Sequence, residues 1–78
     1  MHLPISPRLL ACCGFVYPGA RVADIGCDHG YLGIYLLLNG IASSVIAADV
    51  NEGPLKSAVR NAEKYGVREG IRSVLNIG

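Results

Sequence analysis

The sequence predicts an α/β fold: a Rossmann-like unit of three parallel strands in the order α-β-α-β-α-β, amounting to half of a nucleoside-cofactor domain. Three observations point to it. The stretch Val22-Ala-Asp-Ile-Gly-Cys-Asp-His-Gly-Tyr-Leu32 reads as a buried strand running into a glycine-rich turn that opens a helix. After one helix length, Ala47-Ala-Asp-Val-Asn-Glu-Gly-Pro54 ends a second buried strand in a carboxylate able to take a ribose diol. Glycine, proline and asparagine punctuate the rest of the chain, and each break has a mechanism.

The elements follow in order. Ser6 caps a first helix, with Pro7 in its first turn, where a missing N–H costs nothing, and Leu9, Leu10, Cys13 and Val16 supply the apolar face. Pro18-Gly19 forces a turn. Arg21 to Ile25 alternates only loosely and is rich in small and branched residues, as a parallel strand covered on both faces should be; Gly26 ends it. Tyr31 to Leu38 is apolar nearly all round, a helix packed on most sides, and Asn39-Gly40 suits an αL stop. Val45 to Val50 is the second strand. Asn51 caps a third helix that tolerates Pro54 only within its first turn and runs to about Tyr65, with Gly66 as its stop. Ile71 to Leu75 forms the third strand.

Composition narrows the class. Seventy-eight residues make one small domain at most, and half of them are hydrophobic while 17% are charged, which argues against disorder. A net charge of +1 supplies no strong sequence-independent pull on phosphates, and does not exclude RNA. Cys12, Cys13 and Cys27 make an odd count with two adjacent, a poor disulfide framework that fits a reducing cytosol. No CxxC pair exists and His2 and His29 lie far apart, so a metal site is not expected. The N-terminus lacks a basic flank leading into a long apolar core, and the apolar run Ile34 to Leu38 is far short of the ~20 residues that span a bilayer. A cytoplasmic protein with no membrane partner is the expectation.

Parallel strands joined by right-handed crossovers bring Asp24 to Gly26 and Asp49 to one edge of the sheet. An acid on ribose hydroxyls serves a dinucleotide or S-adenosylmethionine equally, so Asp49 does not choose between them. The loop does. A dinucleotide site presses its pyrophosphate against backbone N–H groups in a GxGxxG turn, but here the glycines are Gly26, Gly30 and Gly33 and the middle position is Asp28. A carboxylate some 5 Å from a phosphate charge costs about 3 kcal/mol at an effective dielectric of 20. S-adenosylmethionine presents an ammonium and a sulfonium beside one carboxylate, and Asp24 and Asp28 suit that net cation.

At these residues the chain resembles a known family. Asp24-Ile-Gly-Cys-Asp-His-Gly-Tyr-Leu32 and Asp49-Val-Asn-Glu-Gly-Pro54 are similar to the loops of bacterial tRNA (adenine-N1)-methyltransferases of the TrmK type, and the resemblance runs from about Ser6 to Val67. It implies a class I methyltransferase fold, S-adenosylmethionine as cofactor and, in the complete enzyme, methylation of a tRNA adenine at N1. It also implies that Asp24 helps hold the methionine end of the cofactor and Asp49 the ribose. The candidate cofactor-binding residues are Asp24, Gly26, Asp28, His29, Gly30, Asp49, Val50 and Asn51; no catalytic residue is assigned.

Three positions depart from the family. Gly33 stands where proline is common, a change the helix start should tolerate. Asp49 replaces a more usual glutamate. After the third strand the family enters a Gly-Asp-Gly-like turn whose acid lies near the adenine, whereas this chain reads Ser73-Val-Leu-Asn-Ile-Gly78. The family fold carries further strands and a helical region implicated in tRNA engagement, so residues 1–78 are expected to be the N-terminal cofactor-binding half of a truncated domain. An uncovered sheet edge then predicts self-association. Two alternatives stay open: a non-catalytic nucleoside-binding or assembly module, and an NAD-binding oxidoreductase fragment.

Several residues read more simply. His29, before a helix, suits a local hydrogen bond better than a base. Tyr31 and Tyr35, four apart, suit packing. Lys56, Arg60 and Lys64 share a helix with Glu52 and Glu63 and suit a solvated face. Cys12-Cys13 suits buried packing, and Cys27 a small filler.

Overall fold

The computed structural model describes residues 3–75 and contains three α-helices and one parallel sheet. In chain order these are α1 (Pro7–Cys13), β1 (Ala20–Ile25), α2 (Tyr31–Leu38), β2 (Ala42–Asp49), α3 (Glu52–Lys64) and β3 (Ile71–Leu75), with a 3₁₀ turn at Arg68–Gly70 before the last strand. The strands lie side by side in the order β1-β2-β3, all parallel. The predicted order and strand direction are therefore those observed.

The boundaries follow the predicted punctuation. The Ser6 hydroxyl accepts from the Leu9 N–H at 3.3 Å, with Pro7 at the first helical position. Both longer helices close in the same hydrogen-bonded motif. The N–H of Ile41 reaches the Leu36 carbonyl and that of Gly40 the Leu37 carbonyl, and Val67 and Gly66 repeat this against Ala62 and Glu63. Gly40 and Gly66 adopt φ of +67° and +77°, which a side chain would resist.

One boundary differs. β2 begins at Ala42, three residues before the predicted start, because Ala20 pairs with Ala42 and Arg21 with Ser44, leaving Ser43 as an extra residue. The Ser43 hydroxyl donates to the Ala20 carbonyl at 3.2 Å and satisfies that irregularity. Strand chemistry in such a small, polar stretch comes from its neighbour and not from its own propensity.

The core lies between the sheet and one helical layer. Ile34 and Leu36 of α2, Val45 and Ala47 of β2, Leu55, Ala58 and Ala62 of α3, and Ile71 of β3 are buried together. Gly33 brings α2 onto β2: a Cβ there would stand 2.7 Å from Cγ1 of Val45. The opposite face of the sheet is largely open, although Ala48 on it is buried. Arg21, Ala23 and Ile25 of β1 are exposed, as are Ile46 and Arg72, the residues aligned with Ala23. The expectation of a β1 covered on both faces is thus corrected, because α2 and α3 both pack on one side of the sheet. Leu10, assigned to the apolar face of α1, is also exposed, and so is Cys12; only Cys13 of that pair is buried. No helix among the described residues is long and apolar enough to cross a membrane.

Candidate functional site

The C-terminal ends of β1 and β2 carry the predicted residues. Asp24 and Ile25 pair with Ala47 and Ala48, so Asp24 sits at one strand end while Asp49 closes the next. Cys27 lies between the two acids. Its thiol is pushed up to about 11 by burial first and then by the Asp24 and Asp49 carboxylates. That thiol stays protonated near neutral pH and acts as the small filler expected of it, not as a nucleophile.

The loop from Gly26 to Gly30 is held from both sides. The N–H groups of Gly26 and Cys27 donate to the Ala48 carbonyl, and the Gly30 N–H donates to the Cys27 carbonyl. Gly26 and Gly30 have φ of +72° and +77°, and Asp28, at +52°, is the one non-glycine residue in that region among the described residues. A short polar side chain tolerates this conformation better than most, which is a local reason for an aspartate here.

On its outer side the loop is latched to α3. The His29 ring Nδ1 and the Ser57 hydroxyl are 2.9 Å apart, and the Asn61 side-chain amide donates to the His29 carbonyl at 2.9 Å. Gly30 packs so closely on Ala58 that a Cβ would stand 2.7 Å from the alanine Cβ. His29 Nε2 lies 3.7 Å from an Asp28 carboxylate oxygen, an ion pair when the ring is protonated. The expected hydrogen-bonding role of His29 is what the geometry displays.

A cavity of about 230 Å³ opens beside this loop, lined by Arg8, Leu9, Asp24, Gly26, Cys27, Asp28, His29, Tyr31 and Leu32. Asp24 is half-buried in it, with no hydrogen-bond partner or ion pair for its side chain among the described residues. Burial raises its pKa above the ordinary carboxylate value. Asp49 differs. It is buried, and its Oδ1 accepts the Asn51 N–H at 2.9 Å. Asn51 occupies the cap position of α3 but makes no side-chain cap bond, so Asp49 orders that turn in its place. Val50 beside it is exposed.

Of the eight predicted residues, Asp24, Gly26, Asp28 and His29 line the cavity. Gly30 supports it from behind, and Asp49, Val50 and Asn51 lie along the adjacent strand end. Arg8, Ser57 and Asn61 were not legible as site residues, since only tertiary packing brings α1 and α3 to the loop. Tyr31 and Tyr35 are partly buried against the core, as packing residues should be. Lys56 pairs with Glu52 at 3.1 Å across one helical turn, an exposed contact.

A glycine-rich loop between β1 and α2 with an acid at each strand end defines a nucleoside-cofactor class, and comparison with known proteins assigns the family. Residues 5–78 match the methyltransferase domain family, and the chain belongs to it. Among individual proteins, it is 44% identical over 70 residues to the tRNA (adenine(22)-N(1))-methyltransferase of Bacillus subtilis (strain 168), covering 90% of this chain and 29% of the relative. The crystal structure of the B. subtilis M1A22 tRNA methyltransferase TrmK superposes with a TM-score of 0.90 at 40% identity, over 99% of this chain and 33% of that one. M. capricolum TrmK in complex with S-adenosyl-homocysteine gives 0.90 at 38% identity, over 99% and 34%. Streptococcus pneumoniae Sp1610 in complex with S-adenosyl-L-methionine gives 0.87 at 46% identity, over 95% and 35%. The resemblance to the TrmK type and the Rossmann-like fold are borne out. The chain spans about a third of the length of these relatives.

Proposed function

We propose that this chain holds S-adenosylmethionine, and that it is the cofactor-binding portion of a tRNA adenine-N1 methyltransferase. The observation that carries the reading is the half-buried, unpartnered Asp24 beside Asp28 in a cavity at the strand ends. A carboxylate withdrawn from water without a counter-ion is stabilised by an incoming cation. The cavity, at about 230 Å³, is smaller than the roughly 300–1,000 Å³ of small-molecule pockets, which fits the amino-acid end of the cofactor. The nucleoside then extends along the open strand edge, with Asp49 taking the ribose through the carboxylate oxygen that Asn51 leaves free. Gly26, Asp28, His29, Gly30, Val50 and Asn51 shape and line that path.

The loop also disfavours a dinucleotide, because the Asp28 carboxylate would meet the like charge of a pyrophosphate there. When bound, S-adenosylmethionine supplies an electrophilic methyl group. The residues of this chain bind and orient it, since methyl transfer depends mainly on proximity and alignment. Calorimetric titration tests the reading: binding of S-adenosylmethionine and its demethylated product supports it, and binding of NAD alone overturns it. The relatives that carry this resemblance make tRNA the proposed substrate partner and the cytoplasm the proposed location.

Self-association belongs to the same reading. Ile25 and Ile46 leave apolar surface on the open sheet face, and β1 and β3 each present an unpaired edge among the described residues. Sedimentation should show mass rising with concentration; a monomer throughout the micromolar to millimolar range is the contrary result.

A further inference from the structure

We propose that the open face of the sheet, at the end away from the Asp24 cavity, docks an acidic amphipathic helix of a partner protein, with Arg21 and Arg72 receiving its carboxylates. A groove of about 300 Å³ lies there, and Arg21, Ser44, Ile46, Glu69, Gly70 and Arg72 are in its lining. Arg21 pairs with Ser44 near the start of β1, whereas Asp24 and Asp49 lie toward the opposite ends of their strands. The two surfaces are separate, so the inference does not rest on the cofactor reading.

Charge identifies the partner. Arg21 and Arg72 are exposed, and none of the described hydrogen bonds or ion pairs engages either guanidinium. The nearby Arg68 differs, since its Nη1 donates to the Ile71 carbonyl at 2.7 Å. Between the two arginines the face is apolar. Ile46 is aligned with Ala23 on one side and Arg72 on the other, and Ile25 follows Ala23 on the same face of β1. Carboxylates on an apolar support complement such a surface. Nucleic acid suits it poorly, because the three strands contribute no aromatic side chain for stacking and Glu69 adds an anion to the groove.

Size and spacing identify its form. The outer strands are about 10 Å apart and the shared stretch is about 17 Å long, which matches a single helix of about three turns. Two copies of the face packed together would bury far less than the roughly 800 Å² per partner of a standard interface, and would double the excess of arginine over glutamate. Arg21 is aligned with Ser44 and Arg72 with Ile46, so the arginines stand on opposite outer strands, offset along the sheet. That offset is about 7 Å, and a helix rises as far in about five residues. One acid on each flank of an apolar stripe, about five residues apart, therefore meets both guanidiniums.

Titration of the 78-residue chain with a fluorescent synthetic helix built to this pattern, followed by anisotropy, tests the inference. The acidic helix should bind, and the same helix with lysine at both acidic positions should bind about tenfold more weakly. Arg21→Ala and Arg72→Ala should each weaken the acidic helix a few-fold, and Glu69→Gln should strengthen it about twofold. A chain carrying both Arg21→Glu and Arg72→Glu should reverse the preference and take the lysine helix. A folding defect would weaken both helices together, so the ratio of affinities is the readout, with far-UV circular dichroism as the control. An acidic helix that binds no better than the lysine helix overturns the inference. So does the absence of binding at millimolar helix, or tighter binding of a single-stranded RNA oligonucleotide.

Discussion

The two crossovers of this fold end their strands in the same residue type and treat it in opposite ways. After β1 the chain makes a five-residue loop from Gly26 to Gly30 that has three left-handed residues, and Asp24 is left without a partner. After β2 it turns directly into α3, and Asp49 is tied to the Asn51 N–H at 2.9 Å. The first carboxylate waits for a counter-ion and the second is already oriented. On the proposed reading, charge recognition and positioning are thereby divided between neighbouring strand ends.

The largest expected effect breaks the first crossover through its backbone. Gly30→Ala must place a Cβ 2.7 Å from that of Ala58 at a φ of +77°, and should cost about 2–4 kcal/mol in denaturant unfolding. Gly26→Ala shares the positive φ but meets open space, so it should cost only about 1 kcal/mol. Equal losses at the two glycines would show that conformation alone, and not contact with α3, fixes the loop.

Next come the acids themselves. Asp24→Asn should reduce S-adenosylmethionine affinity by about a hundredfold while raising the melting temperature of the ligand-free chain slightly, since a half-buried charge without a counter-ion is removed. Asp49→Asn should cost about tenfold in affinity and lower the melting temperature, because the turn loses a charged acceptor. Calorimetry and thermal melts measure both, and a fall in melting temperature for Asp24→Asn would contradict its unpartnered state.

Acidity gives a further test of Asp24. The Asp24 pKa is raised in the folded chain, so its ordinary value of 3.8 lies below the folded one. The ligand-free fold binds that proton more tightly than the unfolded chain does, and its stability falls as pH rises through the window between the two values. Cofactor affinity moves the other way and weakens as pH falls through the raised value, because a protonated Asp24 no longer attracts an ammonium. Asp24→Asn should abolish this contribution to both profiles.

The smallest effect tests the latch. Ser57→Ala and Asn61→Ala should each lose about 1 kcal/mol of stability and a few-fold in affinity, with Glu63→Ala, on the exposed side of α3, changing neither. No change in the first two would mean that packing of Gly30 on Ala58 holds the loop unaided.

Much of this was legible in the sequence because the deciding physics is local. Ser6-Pro7, Asn39-Gly40 and Gly66 act on their own backbone, so the helices begin and end close to where those residues predict. Asp24 and Asp49 follow from strand direction and connection alone. What stayed hidden depends on contacts between distant segments. Arg8 and Asp24 are brought together only when α1 docks, and Ser57 and Asn61 look like ordinary helix residues until the loop lies against them. The open sheet face was hidden for a related reason, since the short apolar β1 reads alike whether one side or two are covered. Gly33, seen from sequence as a tolerated change, proves to be the point of closest approach to Val45.

The strand order β1-β2-β3 has a consequence for how the molecule comes to be. Among the described residues each strand after the first is laid against the one synthesised just before it, with none inserted later between two neighbours. Ala20 meets Ala42 and Val45 meets Ile71 across a single intervening helix, short loops whose closure entropy is modest. Assembly can therefore follow the direction of translation, with the Asp24 loop formed first and fastened only when α3 emerges to supply Ser57 and Asn61.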